Sequence, residues 1–305
     1  MAAIFSHRKN AHDAGKIAPC TWAFHILNHF RRHLMHKLKK LFPLVGAILA
    51  LALVSCGSDS DDGSEAATPP TTYIGTKAPT EAKTVGDIVF NDGSATAYTS
   101  ELTLTDEQKS KAVAVIFYAG SASDTLGAKT LGVGLKNATG DGNTFAWAKD
   151  GVNGDETNIT AIQCKPSPEY DGEAAAATAT FTGDLDGSDN WQALCDAVSD
   201  EETSGNYPAW EWVNAYATEN SLTEDYASGW YLPTVAELSM LYRAKDTVNS
   251  ALEKAGGTKI SDKFYWSSSQ YADDFGTAWG VYFGAYVLYA SGKYNSRSVC
   301  TVRAF

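Results

Sequence analysis

Apolar and polar residues alternate near the end of the chain. Trp279, Val281 and Phe283 alternate with Gly280, Tyr282 and Gly284, which is the period-2 pattern of a strand with one buried face. The pattern predicts that the three large apolar side chains point into a core. The residues between them are predicted to face outward.

Helix signals lie in the middle of the chain. Thr105 precedes two acidic residues, and Thr234 with Glu237 has the spacing of a capping box. Helical periodicity predicts a helix over residues 208–219, and Gly256-Gly257 ends another over residues 248–255. Apolar runs predict strands over residues 85–90, 113–118, 130–135 and 144–148. Short strands, central helices and a strand-rich end without a parallel crossover pattern indicate an α+β fold.

The first residues have the pattern of a leader. Three lysines, the last of them Lys40, precede an apolar run over residues 41–54 that is too short to span a bilayer. The run ends in Leu53-Val54-Ser55-Cys56, which resembles the lipobox of bacterial lipoproteins and implies a diacylglyceryl group on Cys56. An ordinary secretory signal with an incidental cysteine is the alternative. We interpret residues 1–55 as a lipoprotein signal peptide whose true start is Met35.

Residues 56–84 are polar, contain several prolines and aspartates, and have almost nothing to bury. Such a composition predicts a disordered tether. The folded domain is predicted over residues 85–305. Acyl chains on Cys56 would anchor it to a membrane without spanning it, and we expect the protein at the outer membrane and cell surface.

Loss of the leader makes the chain strongly acidic. Residues 1–55 hold eight Lys and Arg and one acidic residue, which leaves 16 basic and 35 acidic residues and a net charge of −19. Such a charge repels phosphate backbones, so no nucleic acid partner is expected. All six histidines, the last of them His36, precede Cys56. Without imidazole most enzyme mechanisms are excluded, and we predict a non-enzyme with no metal and no cofactor.

Three cysteines remain after the leader and Cys56, namely Cys164, Cys195 and Cys300. They permit one disulfide and one free thiol, or three buried thiols. Residues 184–190 alternate oxygen-bearing side chains around Gly187, as a calcium loop does, but Cys195 stands where such a loop has its glutamate. We favour a tight Asx turn that caps the helix from Trp191.

The residues between the apolar positions of the last segment are mostly Tyr, Gly, Ser, Ala and Asp. This is the composition of a paratope, because tyrosine gives contact area at low entropic cost while Gly and Ser adapt. An ordinary tyrosine-rich sheet edge has the same composition. Composition alone leaves both interpretations open.

Three motifs carry a resemblance to a known family. They lie at residues 229–238 (GWYLPTVAEL), at residues 265–269 (YWSSS), and at Val299 with Val302-Arg303-Ala304-Phe305. With them, residues 85–305 resemble the C-type lectin fold of the formylglycine-generating-enzyme (sulfatase-modifying factor) type. The tripeptides of calcium-dependent lectins are absent. Cys300 has no second cysteine in its motif, so neither sugar binding nor oxidase chemistry is carried over.

More narrowly, the leader, the tether and the last residues resemble the treponemal variable protein A-like family, surface lipoproteins diversified by diversity-generating retroelements. The resemblance implies a variable region over about residues 271–301. Adenine mutagenesis of Asn codons yields many residues but never Lys, Glu, Gln, Trp or Met. Between Tyr271 and Ser298 the members of that excluded group are Trp279 and Lys293, which we assign to the scaffold.

We therefore expect a surface lipoprotein that binds a macromolecular ligand, and we expect this ligand to be a protein bound through this region. Two alternatives stay open, a formylglycine-generating-type oxidase that uses Cys300 and a passive structural lipoprotein. The predicted ligand contacts are Tyr271, Asp273, Asp274, Phe275, Gly280, Tyr282, Gly284, Tyr286, Leu288, Tyr289, Tyr294, Asn295 and Arg297.

Overall fold

A computed structural model describes residues 73–140, 142–168, 173–198, 205–285 and 287–305. The leader, Cys56 and residues 56–72 lie outside the described residues, as does Tyr286. The predictions on lipidation, the start at Met35 and this part of the tether therefore stay predictions. Within the described ranges no helix is long and apolar enough to cross a membrane.

Strands and helices follow one another without a repeating order. The helices are α1 (Asp106–Lys111), α2 (Asn153–Glu156), α3 (Asn190–Ala197), α4 (Pro208–Glu219), α5 (Val235–Arg243) and α6 (Lys245–Ala255). The strands are β1 (Ile88–Phe90), β2 (Ala95–Thr96), β3 (Ala112–Ala119), β4 (Thr130–Gly134), β5 (Phe145–Ala146), β6 (Cys164–Ser167), β7 (Glu173–Ala175), β8 (Thr180–Gly183), β9 (Phe264–Gln270), β10 (Thr277–Tyr282), β11 (Val287–Gly292), β12 (Ser296–Arg297) and β13 (Val302–Ala304).

Two antiparallel sheets organise these strands. One has five strands in the order β13-β4-β3-β1-β2, and the other has four in the order β7-β11-β10-β9. The pairs β12-β5 and β6-β8 form small two-stranded ladders. Every pair of these strands in the described residues is antiparallel. The chain is α+β, as predicted.

Local signals set the helix ends. The hydroxyl of Thr234 accepts from the Glu237 amide while the Glu237 carboxylate accepts from the Thr234 amide, so the predicted capping box of α5 is confirmed. Thr105 and Gln108 form the same box on α1. Helix α6 ends at Gly256, whose φ of +73° suits glycine.

The Glu237 carboxylate also joins distant segments. Tyr231 donates its hydroxyl to it at 2.9 Å, and the Gly187 amide donates at 3.3 Å. Burial raises the pKa of Glu237 to about 7, against the lowering effect of the Thr234 amide. The cap of one helix thus also fixes the acidic loop before α3.

That acidic loop is built as an Asx turn. Asp184 accepts from the Asp186 amide at 3.0 Å and from the Asn190 side chain at 2.7 Å, and Asp186 pairs with Lys129 at 3.0 Å. The part of the chain that the structure describes contains no group of three His, Cys, Asp or Glu placed to hold a metal ion. The Asx turns are therefore present, but the predicted cap of the following helix is wrong: Asp186 caps the short turn Gly187–Asp189 by accepting from the Ser188 amide at 3.2 Å, and α3 begins at Asn190 without a side-chain cap.

The prediction of a disordered tether is wrong over the last residues of residues 56–84. Lys77 pairs with Asp87 at 2.6 Å and forms a β-bridge with Ala95, and the Gly75 amide donates to the Ser94 hydroxyl at 2.8 Å. Residues 74–84 therefore belong to the folded domain. Their polar composition hid this, because the segment is held by hydrogen bonds and an ion pair.

The four-stranded sheet is packed on both faces. Its inner face, with Trp279, Val281 and Leu288, joins the main core beside α5 and the five-stranded sheet. Its outer face, with Phe264 and Trp266, joins a second cluster built on Trp147, Tyr207 and Trp210. This double burial decides which residues of the last segment reach the surface.

Candidate functional site

Strand β10 has less exposed surface than its alternation predicted. Trp279, Val281 and Phe283 are buried as expected, but Ala278 and Gly280 are also buried. A Cβ at Gly280 would overlap the ring of Phe264 and the carbonyl oxygen of Tyr265. The second cluster covers the outer face at these positions, so the prediction that every intervening residue faces solvent is wrong.

Tyr286 lies outside the described residues, and the other twelve predicted contacts divide into three groups. Gly280 and Leu288 are buried, Leu288 because it stands opposite Val281 on the inner face, and their prediction as ligand contacts is wrong. Five are half-buried, namely Tyr271, Phe275, Tyr289, Asn295 and Arg297. Five are exposed, namely Asp273, Asp274, Tyr282, Gly284 and Tyr294.

We give the name outer strip to five of these residues, namely Tyr282, Tyr289, Tyr294, Asn295 and Arg297, because four of them lie around the Phe264 ring or Ser291 and exposed Tyr294 directly precedes Asn295. Tyr282 stands opposite Phe264 in the register of β10 and β9, and the Tyr289 ring lies 4.5 Å from the Phe264 ring. The Arg297 guanidinium covers the same ring at 5.0 Å. Ser291 then receives hydrogen bonds from Arg297 at 3.1 Å and Asn295 at 3.3 Å.

Phe264 is the residue that sequence reasoning missed. It is 5% exposed and supports the strip from below, in the space that Gly280 leaves open. A signal was present, since Phe264 and Trp266 are two residues apart on one strand and share a face. The motif of residues 265–269 starts at Tyr265 and therefore does not contain Phe264.

The turn that carries Tyr294 is fixed by a buried ammonium group. Lys293 is fully buried, donates to the carbonyl oxygens of Gly154 at 2.8 Å and Asp155 at 2.9 Å, and stands 4.5 Å from the Trp147 ring centre. Burial lowers the pKa of Lys293 to about 7, although the nearby carboxylates of Asp155 and Asp274 raise it. Both Lys293 and Trp279 are interior residues.

Tyr271 and Asp273 are not in the outer strip. The Tyr271 ring meets Trp279 edge-to-face at 5.1 Å, which places it on the inner side of β10. With Asp273 it lines a cavity of about 280 Å³ between the β9–β10 turn and the β6–β8 ladder. The structure thus separates the predicted site into two places.

Cys164 and Cys300 do not form a reactive pair. Cys164 and Cys300 are buried and carry no disulfide. Burial raises the pKa of each thiol to about 12, so both are protonated at neutral pH and neither is a nucleophilic thiolate. No observation on the described residues favours the oxidase alternative at Cys300.

Comparison with known proteins gives little. No protein-family model matches the sequence, and no curated protein matches it. A solved structure with some likeness is a fimbrial protein from Bacteroides ovatus ATCC 8483, at 15% identity and a TM-score of 0.49. The match covers 73% of this chain and 49% of that one, so this chain spans about half of that protein's length. We draw no argument from a likeness of this degree.

Proposed function

We propose that this chain is a lipid-anchored bacterial surface protein that binds a protein ligand through the outer strip. The observation that carries the proposal is the strip itself. Tyr282 and Tyr294 are 36% and 58% exposed, and beside them Tyr289 and Arg297 pack on the Phe264 ring while Arg297 and Asn295 donate to Ser291. Aromatic and Arg side chains on a rigid support are the residues that dominate protein recognition.

The support under the strip favours binding over a passive role. Lys293 fixes the turn below Tyr294, and Phe264 fills the space over Gly280. A preorganised surface loses less conformational entropy when a ligand binds. A strip that served only to cover the sheet would not need exposed tyrosines at both ends.

We further propose the C-type lectin fold of the formylglycine-generating-enzyme type for the domain. Its three motifs meet in space, which supports this assignment. Tyr231 forms a bridge with Val302, the Ser268 amide donates to the Pro233 carbonyl at 2.8 Å, and the Val235 amide donates to the Ser269 hydroxyl at 3.0 Å. Segments that are distant in sequence thus form one frame.

Diversification by a retroelement is part of the proposal. The two residues of the segment that adenine mutagenesis of Asn codons could not produce, Trp279 and Lys293, are both interior. Sequencing the neighbouring DNA should find a near-identical, adenine-rich template copy and a reverse transcriptase. Sister copies should vary at Tyr282 and Tyr294 and keep Trp279, Val281 and Lys293. Absence of a template, with substitutions spread evenly over buried and exposed positions, would remove this part.

Anchoring is tested separately. Radioactive palmitate should label the wild-type protein, and labelling should be lost in Cys56→Ala because that thiol is the proposed acylation site. Cys164→Ala is a matched control that removes a buried thiol and should keep the label. Persistent labelling of Cys56→Ala would contradict the lipobox interpretation.

A further inference from the structure

Arg297 is the one charged side chain of the outer strip, and it has no acidic partner. It is half-buried, and no ion pair within the described residues joins it to a carboxylate. Arg243, by contrast, donates to the backbone carbonyl oxygens of Ala176 and Ala179. The surface that we propose for binding thus contains a positive charge that no ion pair of the described chain balances.

The Arg297 guanidinium is held at two places and keeps free donors. Its central carbon lies 5.0 Å from the Phe264 ring centre, and Nη2 donates to the Ser291 hydroxyl at 3.1 Å. Nε is buried and has no hydrogen-bond partner among the described residues. An arginine has five N–H donors. Because Ser291 accepts one and the Nε donor is enclosed, the donors that remain are those of Nη1 and the second one of Nη2.

These donors match a carboxylate better than any other group of a protein. A carboxylate has two acceptor oxygens and a negative charge, and it accepts two parallel hydrogen bonds from one guanidinium. A backbone carbonyl oxygen also accepts but carries no net charge, and a basic side chain would be repelled. The contacts with Phe264 and Ser291 already orient Arg297, so the side chain loses less entropy when such a group binds.

The charge of the whole chain favours one acidic group over many. Residues 56–305 carry a net charge of −19, which repels a strongly acidic partner. The other members of the outer strip are tyrosines and an asparagine, which suit apolar and neutral polar groups. A single carboxylate among such groups therefore fits the strip best.

We propose that Arg297 binds an aspartate or glutamate side chain of the protein ligand. The carboxylate accepts from Nη1 and Nη2, and the tyrosines of the outer strip contact the neutral groups around it. This inference rests on the proposed function, because it assigns a partner group to the same surface.

The test begins with a selection from a phage-displayed library of random linear peptides on the purified chain. Peptides that also bind the double variant Tyr282→Ala/Tyr294→Ala are removed, so that the remainder depend on the outer strip. The remaining peptides should contain Asp or Glu more often than the unselected library does. The same selection on Arg297→Glu should enrich Lys and Arg instead, because the reversed charge attracts cations.

Fluorescence anisotropy with one resynthesised peptide then measures the pair. Arg297→Met keeps an apolar stem over Phe264 and should weaken binding by at least about tenfold, as loss of a hydrogen bond to a charged group does. Replacing the acidic residue of the peptide by its amide should cause a similar loss, with little further effect in Arg297→Met. Arg297→Lys should bind more weakly than wild type, because lysine cannot donate two parallel hydrogen bonds.

Arg303→Met is the matched control. Arg303 is also half-buried against an aromatic ring, with its guanidinium 4.5 Å from the Tyr226 ring centre, but it lies outside the outer strip. This variant should keep the affinity of wild type for the peptide. Circular dichroism of each variant separates a loss of binding from a loss of folding.

Two results would overturn the inference and leave the proposed function standing. One is a set of strip-dependent peptides without enrichment of Asp or Glu, and the other is unchanged affinity in Arg297→Met or in Arg297→Lys. A selection in which no peptide depends on Tyr282 and Tyr294 would instead contradict the proposed function, and the inference would fail with it.

Discussion

The inner and outer faces of the β10–β11 ladder are closed to different degrees. On the inner face, Trp279, Val281 and Leu288 are at most 1% exposed and form part of the main core. On the outer face, Phe264 and Gly280 are buried while Tyr289 is half-buried and Tyr282 is exposed. The outer face is thus only partly exposed, because buried side chains lie beneath the tyrosines that reach solvent. How well a position tolerates substitution should therefore depend on how deeply its side chain is buried. It should not depend on the alternation of inward and outward positions along the strand.

The largest effect is expected on the inner face. Trp279→Ala should lower the free energy of unfolding by about 3–5 kcal/mol, because a large buried aromatic leaves a cavity that the core fills only in part. Chemical denaturation followed by circular dichroism would measure this. Trp212→Ala is a control at a half-buried position and should cost less. Equal losses in both variants would contradict the assignment of Trp279 to the frame.

The buried Lys293 should make stability depend on pH. Its pKa is about 7 when folded against 10.5 unfolded, so between these values the unfolded chain binds more protons. Stability from this group is therefore gained as pH rises from 7 to 10.5, by on the order of 4 kcal/mol. In Lys293→Met this rise of the free energy of unfolding with pH should be absent. Parallel pH profiles for wild type and variant would show that Lys293 is not held in a desolvated site.

A smaller effect separates two glycines of the predicted face. Gly280→Ala should destabilise the fold by about 1–3 kcal/mol, because the added methyl group overlaps Phe264 and the Tyr265 carbonyl. Gly284→Ala is the matched control. Its methyl group would approach the exposed Tyr282 ring at 3.0 Å, and that ring is free to move. A larger loss at Gly284 than at Gly280 would reverse our account of the outer face.

The smallest effect is expected at the exposed tyrosines. Tyr282→Ala and Tyr294→Ala should each change the free energy of unfolding by no more than about 0.5 kcal/mol, as is usual at exposed positions. Denaturation midpoints at constant m-value would measure this. A loss comparable to that of Trp279→Ala would mean that these tyrosines are structural.

Local chemistry explains what the sequence could predict. The Thr234–Glu237 capping box, the Pro208 start of α4 and the Gly256 end of α6 depend on residues within a few positions of each other. Alternation also predicted the inner row of β10, because the period of a strand is local. These features need no knowledge of the tertiary fold.

The errors arise from contacts between distant segments. Gly280 is buried because Phe264 lies over it, and the cluster around Trp147 and Trp210 closes the same face from more than 60 residues away. Residues 74–84 are folded because they form a hydrogen bond with Ser94, a β-bridge with Ala95 and an ion pair with Asp87. Tyr271 and Asp273 do not belong to the outer strip, because the β9–β10 turn places them on the other side of the sheet. No local pattern encodes these pairings.

Site-specific photo-crosslinking in intact cells tests the central claim most directly. A benzophenone amino acid would replace Tyr282, Tyr294 or Tyr73 one at a time. Tyr73 is 45% exposed and lies outside the strip, so it controls for exposure alone. We predict that one and the same macromolecule is captured from positions 282 and 294 and not from position 73. Capture from Tyr73 at an equal level, or different products from Tyr282 and Tyr294, would contradict a single binding surface along the outer strip.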